Sequence, residues 1–270
     1  MVPVPRTFRI IFLSWLTIIG LIACVGDRSN SVVVQFEIDR GDAGNAMGEV
    51  RDLRFYVHDV ELLDASGQAF PLTLTALAPW QSAELALIDL VGQQQTNLNT
   101  ALRGRAQGEQ ISGIRFKVGV PFALNHVNLV TAAPPLDRGD LFWSWQTGYK
   151  FLRADLTDAN REWSFHLGST GCVSASAVRA PDQPCSRPNL IRVELRGFDP
   201  TKEPIRVRID ELFKSMNTPQ SSVCTGDYEH DRGCADVFSK TGLQASNGEC
   251  MNDCRGQRLF TVHVSSATHQ

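Results

Sequence analysis

The side chains best suited to chemistry in this sequence are imidazoles and indoles. Of six histidines, three fall in patterned segments. His166 stands in Trp163-Ser164-Phe165-His166-Leu167, so on a strand it points away from Trp163, Phe165 and Leu167, and a Gly168-Ser169-Thr170-Gly171 turn follows at once. His126 ends Pro121-Phe122-Ala123-Leu124-Asn125-His126, where the chain leaves a strand for a loop and Asn125 can orient the ring by a hydrogen bond. His58 shares a strand face with Arg54 and Tyr56. Neutral imidazole is a borderline donor that suits copper or zinc rather than calcium. Leu141-Phe142-Trp143-Ser144-Trp145-Gln146 sets two indoles on one face of a strand, an arrangement that also serves plain core packing.

Thiols are a separate matter. Cys24 closes an apolar N-terminal segment, and the other six cysteines, Cys172, Cys185, Cys224, Cys234, Cys250 and Cys254, lie in the C-terminal part of the chain. An even number in an exported protein reads as three disulfides, and their order suggests pairing between neighbours among the 15 pairings that six cysteines allow. No CxxC pair occurs, which argues against a zinc site. Walker loops, dinucleotide glycine fingerprints, HExxH, calcium loops and GxSxG elbows are all missing, so catalysis has no positive support and Ser169 reads as a turn residue. A net charge of −3 without blocks of like charge leaves nucleic-acid binding no electrostatic footprint.

These residues need a scaffold and a compartment. Arg6 and Arg9 followed by the apolar run 10–23 form an export signal, and Leu21-Ile22-Ala23-Cys24 matches a bacterial lipoprotein processing box. At about 14 residues the run is short of the ~20 that span a bilayer. We therefore expect cleavage of residues 1–23, lipidation of Cys24, and residence in the bacterial envelope. Val25 stands where an inner-membrane retention signal would show Asp, so the outer membrane is favoured. Residues 24–270 are then one domain, apolar enough at 43% for a sizeable core.

Period-two alternation dominates that domain, beginning with Val32, Val34, Phe36 and Ile38 against Val33, Gln35, Glu37 and Asp39. Further strands are expected at 52–63, 69–74, 84–90, 111–120, 141–151, 161–167, 191–198 and 205–209, with an edge strand at 259–264. Helical pattern is confined to 210–216 and 234–240. Residues 92–110 read as a long surface loop. The fold expected is all-β: an antiparallel β-sandwich with long loops and few short helices, stapled by disulfides.

Several long motifs occur in one order: Asp52-Leu53-Arg54-Phe55-Tyr56-Val57; Pro79-Trp80-Gln81; Gly119-Val120-Pro121-Phe122 with Asn125-His126; Phe142-Trp143-Ser144-Trp145-Gln146 with Gly148-Tyr149-Lys150-Phe151; and Phe165-His166-Leu167-Gly168-Ser169-Thr170-Gly171-Cys172. Together they resemble the MbnP-like family of bacterial copper-binding, methanobactin-associated proteins over about 32–243. The resemblance implies one copper ion held by two histidines and a tryptophan oxidised to kynurenine. Carried over, His126 and His166 are the ligands, and Trp143 or Trp145, with Trp80 behind them, is the modified residue. His58 becomes a variable surface position. Kynurenine offers an aniline nitrogen and a ketone oxygen where indole has no usable lone pair. The oxidant implied is a partner resembling di-haem cytochrome c peroxidases. Under a different reading the chain is a metal-free surface lipoprotein that binds a peptide or glycan with its aromatics and the 92–110 loop.

Overall fold

The computed structural model describes residues 29–41, 48–92, 98–157, 162–176, 178–216, 223–225 and 232–263. The export segment and Cys24 lie outside the described residues. In chain order the strands are β1 (Asn30–Asp39), β2 (Glu49–Asp64), β3 (Ala69–Pro71), β4 (Thr73–Leu74), β5 (Ala86–Asp89), β6 (Ala101–Ala106), β7 (Ile111–Val118), β8 (Phe142–Ser144), β9 (Gly148–Tyr149), β10 (Leu152–Thr157), β11 (Glu162–Leu167), β12 (Ile191–Arg196), β13 (Ile205–Arg208), β14 (Val223–Cys224) and β15 (Phe260–Thr261). The helices are α1 (Phe122–Asn125), α2 (Ile209–Met216) and α3 (Arg232–Ser239). Among the described residues no helix is long and apolar enough to cross a membrane.

Two sheets face one another across a continuous apolar core, which makes the chain an all-β sandwich. One sheet runs β15-β13-β1-β6-β4, the other β12-β7-β2-β10-β11-β14, with β3 and β5 also paired to β2. Most pairings are antiparallel; β1 with β13 and β11 with β14 are parallel. The alternation of β1 explains its placement, since Val32, Val34 and Phe36 are buried while Val33, Gln35 and Glu37 face solvent. Phe36 meets Phe55 and Phe116 edge-on, and Phe260 meets the same two rings, at centroid separations of 5.3–5.9 Å. These four rings come from β1, β2, β7 and β15, so the cluster clamps one sheet to the other, each contact adding roughly 0.5–1.5 kcal/mol beyond area burial.

Three expectations need correction. The 92–110 stretch is not one loop, because β6 lies within it and pairs with β1. Residues 141–151 are not one strand: β8 and β9 form a small hairpin, and the chain then starts β10, which the alternation did not reveal. β3 and β4 are likewise two short strands, pairing with β2 and β6 in different sheets.

For the site, the decisive element is β2. Its first half lies between β10 and β5, and its second half pairs with β7 and β3. Leu53, Phe55 and Val57 enter the sandwich core, yet Arg54, Tyr56 and His58 on the opposite face are buried too. A second apolar cluster covers that face: Leu85, Val120, Leu136, Leu141, Tyr149 and Phe151 pack around Tyr56. The outer face of the larger sheet thus carries a third layer, built mainly from the segment between β7 and β10 with Leu85 from the chain entering β5.

Candidate metal centre

α1 starts behind Pro121 and ends after one turn at Asn125, leaving His126 in a backbone that is neither helical nor extended, at φ −120° and ψ 21°. Asn125 is 1% exposed and binds three segments at once. Its Oδ1 accepts from the Tyr149 amide at 2.8 Å, and its Nδ2 donates to Ser169 Oγ at 2.9 Å and lies 3.2 Å from His126 Nε2. The β8–β9 hairpin and the turn after β11 are thereby tied to α1. Gly148 makes this approach possible, with φ +78° and no room for a Cβ beside the Asn125 amide.

His126 is itself oriented by that hairpin. Its Nδ1 lies 3.1 Å from the Trp145 carbonyl oxygen, which can only accept, so Nδ1 is assigned the proton and Nε2 keeps its lone pair. Burial pulls the ring's pKa below the ordinary imidazole value, against the bond to Trp145, so it is neutral at pH 7. A backbone carbonyl holding one imidazole nitrogen is the usual partner of a metal-ligating histidine. Nε2 faces the Asn125 amide and Cys185 Sγ at 3.7 Å.

His166 sits on β11 opposite Arg153 of β10, on the outer face. Its Nε2 lies 2.8 Å from Asp155 Oδ1. From there a ladder of alternating charge crosses the sheet. Arg153 Nε donates to Asp155 at 2.6 Å and lies 3.1 Å from Asp52; Arg54 grips Asp52 with two bonds of 2.7 and 2.5 Å and reaches Asp140 at 2.5 Å. Burial pushes Asp155 upward, but the bonds from His166 and Ser164, with Arg153, outweigh it and hold the carboxyl below its usual range. Asp140 is also held low, Arg54 outweighing burial. The ladder thus runs from His166 to the residues that open the tryptophan hairpin.

The three candidate tryptophans separate by what they touch. Trp143 is half-buried, and its six-membered ring lies against Gly168, where a Cβ would overlap it. Gly168 is two residues past His166, just beyond the end of β11. Trp145 offers its carbonyl to His126 and meets Phe142 edge-on at 6.2 Å. Trp80 stacks beneath Arg138, 4.8 Å from ring centroid to guanidinium carbon. The two indoles of Trp-x-Trp therefore do not share a strand face, because the hairpin turns between them.

A family model described as MbnP matches residues 29–226. The chain belongs to the MbnP family. Among solved structures, MbnP from Methylosinus trichosporium is similar at 25% identity, covering 87% of this chain and 98% of that one with a TM-score of 0.72. Among curated proteins nothing matches. The MbnP match takes in the two candidate ligand histidines, the three candidate tryptophans and Cys172–Cys185, while Cys234, Cys250 and Cys254 fall beyond it.

Beside this MbnP core, the structure joins Cys172 to Cys185, Cys224 to Cys234 and Cys250 to Cys254. His126 Nε2 and the sulfurs of Cys172 and Cys185 lie within 4.8 Å of one another, but the sulfurs are spent on their own bond. His58 is not the surface position expected: it is 3% exposed, with Nδ1 3.4 Å from Asp59 and neither ring nitrogen in a well-formed hydrogen bond. The charge ladder went unseen in the sequence, although Asp52-x-Arg54 and Arg153-x-Asp155 already place opposite charges on one strand face.

Proposed function

We propose that this MbnP-family protein binds one copper ion for scavenging, storage or delivery, as a binding protein and not an enzyme. His126 and His166 are the ligands, completed by a kynurenine formed from tryptophan. The observation that carries this is His126: the Trp145 carbonyl holds one nitrogen, and the other keeps a lone pair next to sulfurs that offer no thiolate. A donor set of imidazoles suits copper in an oxidising compartment. Asp155 supports His166 in the same sense, as a carboxylate against one ring nitrogen. The packing of Trp143 on Gly168, two residues along the chain from His166, favours Trp143 over Trp145 and Trp80 as the oxidised residue.

The rest of the reading follows from the family and the N-terminal sequence. Oxidation of the indole needs an external oxidant, supplied by a di-haem peroxidase-like partner, and Cys24 carries a lipid anchor in the outer membrane. Intact and peptide mass spectrometry of protein purified from its native envelope, with elemental analysis, tests the whole proposal. The expected result is one copper per chain and the mass of kynurenine at Trp143. His166→Ala should lose tight copper binding with the fold retained; full affinity and stoichiometry in that variant, or unmodified tryptophans without copper, would refute the assignment.

A further inference from the structure

Cys172 and Cys185 face each other across a short ladder. Thr170 bridges to Arg187, and the Ser186 amide donates to the Gly171 carbonyl at 3.2 Å. The bridge holds the two Cα atoms 4.1 Å apart; unbonded residues directly opposite on such a ladder keep their Cβ atoms ~4.5–5.5 Å apart, so once released the sulfurs can separate by side-chain rotation and a small relaxation of the ladder. A metal bound at ~2.0 Å by imidazole and ~2.3 Å by thiolate has nitrogen-to-sulfur edges of roughly 3.6 Å at trigonal or tetrahedral angles. The distance from His126 Nε2 to Cys185 Sγ is already 3.7 Å. Ser169 Oγ, whose hydrogen goes to the Thr147 carbonyl at 3.1 Å, lies 3.6 Å from Cys172 Sγ, close enough to turn that hydrogen to a thiolate there.

We propose that reduction of Cys172–Cys185 converts this corner into a second metal site, with His126 Nε2 and the two thiolates as ligands, selective for a soft cation and foremost for Cu(I). The reductant is a dithiol. One of its thiolates attacks the half-buried Cys172 sulfur, and Cys185 leaves as the thiolate beside His126. The second dithiol sulfur then displaces Cys172, so two electrons and two protons pass to the protein and the reductant ends as a disulfide. Metal binding expels the thiol protons. Access is from the stapled loop, whose Val173 and Val178 are 81% and 73% exposed. Oxidised, the sulfurs are inert and His126 serves an imidazole site; reduced, the same ring joins a thiolate set that prefers Cu(I) over Cu(II). This site shares His126 with the copper function above but uses neither His166 nor a tryptophan.

The test is anaerobic treatment of the full chain with dithiothreitol, alkylation mapping by mass spectrometry, and titration with Co(II), read through the sulfur-to-cobalt charge-transfer band that an imidazole site lacks. Circular dichroism before and after reduction follows the fold. The expected result is opening of Cys172–Cys185 and about one equivalent of Co(II) bound with that band in the reduced protein only. The band should persist in reduced His166→Ala, which lacks the site proposed above, and vanish in the Cys172→Ser/Cys185→Ser variant. The inference is overturned if this bridge resists the dithiol while the other two open, if the reduced wild-type chain unfolds or shows no band, or if the band survives loss of both cysteines. Failure of the copper function alone would leave the reduced His166→Ala band in place.

Discussion

Replacing Arg54 with methionine removes the central cation of the ladder while keeping most of its apolar volume. Arg54 is 4% exposed and supplies both bonds to Asp52, itself 2% exposed, as well as the bond to Asp140. Breaking a buried pair from one side costs about 3–5 kcal/mol, since a charge is left without its partner. Two features place Arg54→Met at the low end. Arg153 stays 3.1 Å from Asp52, and the Asp140 side chain, 35% exposed, can turn to water. A loss of about 3 kcal/mol lowers Tm by roughly 6–12 °C in a chain of this size. Calorimetry on Arg54→Met, Asp52→Asn and the double variant gives the coupling. The double variant should cost much less than the two single changes added together, because removing the carboxylate's charge cancels most of what the lost guanidinium exposes. A single-variant loss below about 1 kcal/mol, the range of exposed ion pairs, or strict additivity in the cycle would refute the account of a buried, mutually dependent ladder.

Two further outcomes can be checked. Gly168→Ala places a methyl group into the Trp143 ring and 2.8 Å from the Tyr149 carbonyl; it should cost about 1–3 kcal/mol, move the indole emission of Trp143 as measured against a Trp143→Phe reference, and cut the kynurenine yield in cells. For pH, burial holds His58 below the ordinary imidazole pKa despite Asp59, so the unfolded chain takes up a proton before the folded one does. Stability from this residue is complete above about pH 6.5 and declines as pH falls towards the lower folded value. Urea midpoints at pH 7.5 and 5.5 should therefore differ less in His58→Gln than in the parent, and an unchanged difference would remove His58 from the explanation.

What the sequence revealed follows the reach of the forces involved. β1 was legible because one face is core and the other is water, and period two records that contrast directly. β2 was legible as a strand, but the burial of Arg54, Tyr56 and His58 was not, since polar side chains become interior only when segments distant in sequence, from Leu85 to Phe151, close over them. β6 escaped because Ala101, Gly104 and Ala106 are small and poor strand formers; Gly104 is required where Thr73 and Leu72 press against the backbone. The sequence alone puts Trp143 and Trp145 on one strand, because nothing local announces that Asn125 sets the turn at Gly148. The candidate histidines could be named from their types and motifs. Their orientation could not, because the Trp145 carbonyl and the Asp155 carboxylate that hold them come from other segments of the chain.

Asn125 has a consequence for how this protein ages. Its amide nitrogen points at three atoms that accept hydrogen bonds, Ser169 Oγ, the Thr147 carbonyl and His126 Nε2, and its oxygen takes the Tyr149 amide. Deamidation exchanges that nitrogen for oxygen with scarcely any change of shape, yet it would turn a carboxylate onto the Thr147 carbonyl and the imidazole lone pair, neither of which can tolerate it without rearranging. Asparagine is among the thermolabile side chains. The corner that orients His126 therefore depends on a perishable group, and its shelf life rests on the packing that keeps Asn125 1% exposed.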